Sequence, residues 1–184
     1  MQFESTYPKE IGLGDSNADI RVYIGNRPKM PEYAELTSLS AVNIQQINEI
    51  SAQCGNGWRK VFNVFAKLLF ELQPTSFTRW QAYGDWQSLR DHQLLRAHSQ
   101  CALIFGLPDV DNQSNHGVDN PKAVHIICGR THAQSLLSQV DMMWLNEEFA
   151  ISKRHRLIIC PYFDYRQLSN VKILFLAELI HSLS

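Results

Sequence analysis

This sequence is short of the features that usually betray a function. No Cys-x-x-Cys spacing is present, and three of its four cysteines, Cys101, Cys128 and Cys160, fall within or at the ends of apolar runs, where a thiol behaves as a small buried hydrophobe. A zinc site, or any other metal or cofactor, is therefore not expected. No stretch approaches ~18 consecutive apolar residues, and the start is not basic and then apolar, so neither a membrane span nor export is expected and a cytoplasmic protein is the simplest inference. Net charge is also nearly absent: 17 Lys and Arg stand against 18 Asp and Glu, giving a formal charge of −1. A broadly basic nucleic-acid-binding surface is thereby excluded, and any such contact has to come from a local patch. The nucleophile elbow, the phosphate-binding P-loop and the dinucleotide fingerprint are missing. So are internal repeats, low-complexity tracts and linkers, and 184 residues suit one domain spanning 1–184.

What is present is a pattern of short apolar runs, each closed by glycine or proline. Residues 123–128 and 156–160 are too short for helices, are rich in β-branched residues, and end at Gly129 and Pro161; they read as buried strands. Between them Ala133, Leu136, Leu137, Val140, Met143 and Trp144 recur at helical spacing, which predicts a crossover helix and hence parallel neighbours. Residues 19–24, ended by Gly25, and 101–105, ended by Gly106, are two further strands. Helices are predicted over 40–53, 58–72 and 89–98, and at the C-terminus over 171–183, an apolar helix suited to the core or to a homodimer contact through Phe175, Leu176 and Leu179. Residues 1–19 form an extended N-terminal arm, and 109–121 a long polar loop. Phe77, Trp80, Tyr83 and Trp86 make an aromatic ladder that either caps the sheet or stacks bases. The expected fold class is α/β: a three-layer α/β/α sandwich around a short, mainly parallel sheet of about four strands.

Strand ends of such a sheet carry the ligand-facing residues. Here they deliver Asn26 and Arg27; Asp109; Arg130, Thr131 and His132; and Tyr162, Asp164, Tyr165 and Arg166. Gly129-Arg130-Thr131 at a helix start suits an anion held by backbone N–H groups, a hydroxyl and a guanidinium; Thr131 is equally an N-cap with Gln134 three residues on. His132 suits proton transfer near neutral pH. Asp164 and Asp109 suit water activation, and Asp164 equally a loop-fixing pair with Arg166. The basic run Lys153-Arg154-His155-Arg156 reads as a nucleic-acid contact or as the solvated end of a helix.

Four places in this order resemble the uracil-DNA glycosylase superfamily. Gly25-Asn26-Arg27-Pro28 lies where that family has Gly-Gln-Asp-Pro. The run from Trp58 to Phe62 is similar to the helix after its Pro-rich loop. Residues 102–106 lie where a strand ends in the base-reading Asn. Gly129-Arg-Thr-His-Ala-Gln134 resembles Gly-Ser-His-Ala-Gln, with Cys160-Pro161-Tyr162 where the family has His-Pro-Ser. The resemblance spans about residues 20–180 and implies the α/β/α sandwich and a nucleic-acid or nucleotide-like ligand. Arg27, Gly106 and Cys160 occupy the acid, base-reading and leaving-group positions, so it leaves Asn26 as the water-orienting residue, with His132 and Asp164 as the remaining candidate catalytic groups. A small-molecule enzyme or sensor for an anionic metabolite and a non-catalytic interaction protein are the alternative readings.

Overall fold

The computed structural model describes residues 10–73, 82–110 and 120–183. The described chain runs β1 (Gly12–Gly14), β2 (Ile20–Ile24), α1 (Pro31–Ala34), β3 (Leu39–Ser40), α2 (Ile44–Gln53), α3 (Asn56–Leu72) and α4 (Trp86–His92). It continues with β4 (Cys101–Phe105), β5 (Val124–Cys128), α5 (Arg130–Ala133), β6 (Met143–Trp144), β7 (Ala150–Ser152), β8 (Leu157–Cys160) and α6 (Asn170–Ser182). The architecture is α/β. The sheet order is β3-β1-β4-β2-β5-β8-β7-β6.

The expectation of about four mainly parallel strands is corrected to a mixed sheet with eight strands among the described residues. Its centre, β4-β2-β5-β8, is parallel throughout. The additions are antiparallel at β1–β4, β6–β7 and β7–β8. They escaped the sequence because each is two or three residues long, and partners rather than propensity specify strands this short. β1 falls inside the expected arm. A Cβ at Gly12 would lie 2.2 Å from Leu103 O, and one at Gly14 2.4 Å from Cys101 O, so the arm lies against β4 only because glycine lets the two backbones close. Residues 1–9 of that arm lie outside the described residues, as do Phe77, Trp80 and 111–119 of the polar loop.

The central strands are buried on both faces, as parallel strands are when helices cover them. Ile20, Val22, Leu103, Val124, Ile126 and Ile158 join one core with α2, α3, α4 and α6, while Tyr23, Ile104, Ile127 and Ile159 join a second with Ala133 and Leu136. α3 turns Phe62, Phe65, Leu68 and Leu69 inward. α2 begins at Asn43, whose side chain accepts from Gln46 N at 3.0 Å while Gln46 returns the bond, a complete capping box.

On the second face the expected crossover helix does not form. After α5 comes a single tight turn (Gln134–Leu136), and the chain then returns as the β6–β7 hairpin. Met143 and Trp144, whose spacing suited a helix, pair instead with Ile151 and Ala150. The predicted helix over 89–98 is likewise shorter, Trp86–His92, because Leu95, His98 and Gln100 take positive φ. The basic run is a turn between β7 and β8 rather than a helix end, with Arg156 holding Lys122 O and Ala123 O. α6 buries Ile173, Leu176 and Ile180 and leaves Val171 and Leu174 exposed; Phe175 and Leu179 are half-buried. Of the aromatic ladder, Tyr83 stacks on His92, and Lys67 and Arg90 lie over the Trp86 ring. No helix of the described residues is long and apolar enough to cross a membrane.

Candidate functional site

Since the four central strands are parallel, Gly25, Gly106, Gly129 and Pro161 all leave the same edge of the sheet. The chain passes from β2 to β4 on one side and then to β5 on the other, with its helices on opposite faces. The topological switch point therefore lies between β2 and β5, at Gly25-Asn26 and Gly129 to His132, the position where open α/β sheets leave a crevice.

His132 joins three strand ends at this point. Its Nε2 is 2.7 Å from Gly106 O. A carbonyl only accepts, so Nε2 carries a proton and donates, and in the neutral imidazole Nδ1 is left with its lone pair. That nitrogen faces Gly25, where an added Cβ would lie 3.1 Å away. Glycine there lets the imidazole lie flat across the end of β2.

Asn26 is exposed, and its Nδ2 donates to the Tyr162 hydroxyl at 2.9 Å, tying the end of β2 to the end of β8. Burial pushes the Tyr162 phenol up, so the hydroxyl stays protonated at neutral pH. The pair accordingly presents an amide carbonyl that accepts and a phenolic O–H that donates. Beneath it Cys128 and Cys160 are register partners, both buried, with the Cys128 thiol pushed up by burial.

Asp164 lies beside this pair but is fully engaged. Arg166 holds it through Nη2 at 2.8 Å and Nε at 3.2 Å, its own backbone N–H adds 3.0 Å, and Lys60 reaches it at 3.2 Å. Arg166, followed by the other donors, holds its carboxyl well below the usual carboxylate range. Such a group is a fixed anion and a poor base. Lys60 also lies over the exposed Tyr165 ring at 5.1 Å. Lys60 was not legible as a partner from sequence, because it sits 104 residues from Asp164; its position off the apolar stripe of α3 is the one signal.

The arginines are drawn aside. Arg27 donates to Tyr33 O at 2.6 Å and Leu36 O at 2.7 Å and lies over the Phe105 ring, so it braces the loop after β2. Arg130 is exposed, stacks on Trp144 at 4.3 Å and donates to Glu147 O. The capping box expected from Thr131 and Gln134 is corrected: Gly129, at φ 95°, is the N-cap, and no side chain caps α5. Thr131 is exposed in the first turn and Asp109 is exposed past the end of β4. Lys153 to Arg156 precede β8 and so lie at the opposite edge from this site. Among the described residues no group of three or more His, Cys, Asp or Glu side chains is placed to hold a metal.

A family model described as a family of unknown function (DUF6942) matches residues 11–181. No curated protein and no solved structure matches.

Proposed function

The chain belongs to the DUF6942 family, and from the edge just described we propose that it is a uracil-DNA-glycosylase-like domain that binds a nucleic acid or nucleotide-like ligand at the C-terminal strand ends. The observation that carries this reading is the convergence at the switch point, where the Asn26–Tyr162 pair stands beside His132. An acceptor and a donor held side by side on rigid strand ends match the alternating hydrogen-bonding edge of a nucleobase. The resemblance in motif order around Gly25 and Gly129 supports the same ligand class.

Binding is favoured over excision. Arg27 stands where the resembled family has its carboxylate, and it is spent on Tyr33 O and Leu36 O; Asp164 is neutralised by Arg166 and Lys60. Asn26 can orient a water through its carbonyl, and His132 Nδ1 is the group that can take a proton.

Fluorescence anisotropy with a short single-stranded oligonucleotide, a mismatched duplex and a free nucleotide tests the reading at low and high salt. Saturable binding that Asn26→Ala and Tyr162→Phe each weaken about tenfold, the ~1.4 kcal/mol of one hydrogen bond, is the expected result. Absence of binding to all three at low salt removes the reading. Should free nucleotide alone bind, the ligand is a small molecule rather than a polymer.

The α5 start favours a second reading, a sensor or enzyme for an anionic metabolite. Its N-cap, Gly129, offers no side chain to the first-turn N–H groups, and Arg130 and Thr131 are exposed beside them. A metabolite thermal-shift screen tests it: a ligand at a hundred times its Kd adds ~2.7 kcal/mol, a gain that Arg130→Ala should abolish.

A further inference from the structure

Because the chain between α5 and β8 folds back as a hairpin instead of a helix, β6 is left as an open edge of the sheet among the described residues. Two adjoining cavities occupy the opening, about 590 Å³ and about 450 Å³, and both are lined by Gln139, Asp141 and Met142. The larger has Met142, Met143 and Ile151 in its lining and Lys153, Arg154 and His155 along one end; the smaller reaches Trp144 at the other. Met143 is 56% exposed, and Met142 only partly buried, so apolar surface that the rest of the sheet hides is offered here to solvent. Lys153 and Arg154 are exposed and take part in none of the ion pairs among the described residues. Among the described residues that line the groove, Asp141 is the one acid.

We propose that this groove binds a free amphipathic anion, an unbranched aliphatic chain bearing a carboxylate or phosphate head, with the chain over the β6 edge at Met142 and Met143 and the head on Lys153 and Arg154. The larger cavity falls within the ~300–1,000 Å³ of small-molecule sites. Methionines adapt to a flexible chain because their thioethers are unbranched and polarizable. Two cations against one acid leave the cationic end with a positive balance, and the anion supplies the ionic partner that these side chains lack among the described residues. The site is separate from the strand-end edge and does not depend on that assignment.

The test is isothermal titration of the full chain with decanoate and decyl phosphate below their micelle concentrations, with decanol and acetate as the head-less and chain-less controls. Both anions are expected to bind with Kd below about 1 mM, and decanol and acetate at least tenfold more weakly. Lys153→Ala/Arg154→Ala should weaken decanoate about tenfold with an unchanged circular dichroism spectrum, while Asn26→Ala leaves it unaltered. Decanol binding as well as decanoate overturns the proposal. So does decanoate binding untouched by the double variant, and so does co-sedimentation with phosphatidylglycerol vesicles without any binding of the free anions.

Discussion

His125 is almost wholly buried, its Nδ1 2.8 Å from the Tyr23 hydroxyl, which also reaches Glu10 at 3.2 Å, while Arg21 pairs with Glu10. Burial, helped by the positive charges of Arg21 and Arg156, pushes this imidazole down to about 3. The folded state then binds fewer protons than the unfolded chain between an ordinary histidine value of ~6.5 and about 3, so stability is full above that window and falls through it as pH drops, by up to ~1.4 kcal/mol per unit. His125→Asn keeps a polar atom near Nδ1 and removes the titration. Denaturant unfolding from pH 7 to pH 4 should therefore show a shallower loss in the variant than in the wild type, and parallel curves would contradict the assignment. A second prediction concerns Gly25. The Cβ of Gly25→Ala would crowd His132 Nδ1 at 3.1 Å and push Nε2 away from Gly106 O. Nitrogen-15 spectra of the imidazole should lose the single Nε2–H tautomer, and nucleotide binding should fall at least threefold while global stability changes by less than about 1 kcal/mol.

Among the elements, α6 separates an inward face from an outward one although its sequence is apolar nearly all round. Leu176 is fully buried and Val171 is 76% exposed. Leu176→Ala should cost about 2–5 kcal/mol through lost burial and a residual cavity, whereas Val171→Ala should stay within about 0.5 kcal/mol; chemical denaturation of the two variants checks the contrast. Of Phe175, Leu176 and Leu179, named from the sequence as a candidate homodimer contact, Leu176 is fully buried, and the exposed apolar residues of α6 are Val171 and Leu174. Light scattering at rising concentration decides whether two chains pair: growth towards twice the single-chain mass, reversed by Val171→Asp, supports a homodimer, and a constant single-chain mass excludes it.

At the scale of the whole molecule, the sheet has two differently equipped edges. The strand-end edge holds Asn26, His132, Tyr162 and the Asp164 cluster, while the turn at Lys153 to Arg156 lies at the other end of β8. Four strand residues span roughly 13 Å, more than the ~10 Å Debye length at 0.1 M salt. Lys153→Ala/Arg154→Ala should consequently leave oligonucleotide affinity at 0.1 M salt unchanged within about twofold, even as it weakens decanoate. A tenfold loss of oligonucleotide affinity would move the nucleic-acid surface to the groove.

The amino-acid sequence by itself determined the centre of this protein. Strands buried on both faces are mostly apolar, so β2, β4, β5 and β8 stand out as short apolar runs closed by glycine or proline. α3 and α6 show for the matching reason that a long buried helix needs many apolar side chains. Only the tertiary structure decided the margins and the contacts. β1, β3, β6 and β7 are too short to have a period, and the helical spacing from Ala133 to Trp144 yielded to strand pairing with Ala150 and Ile151. The meeting of Asn26 with Tyr162, of His132 with Gly106 and of Lys60 with Asp164 depends on strand order, and strand order is set by how the two cores pack. The groove beside β6 exists because a crossover helix is absent, and a helix that fails to form leaves no mark in local spacing.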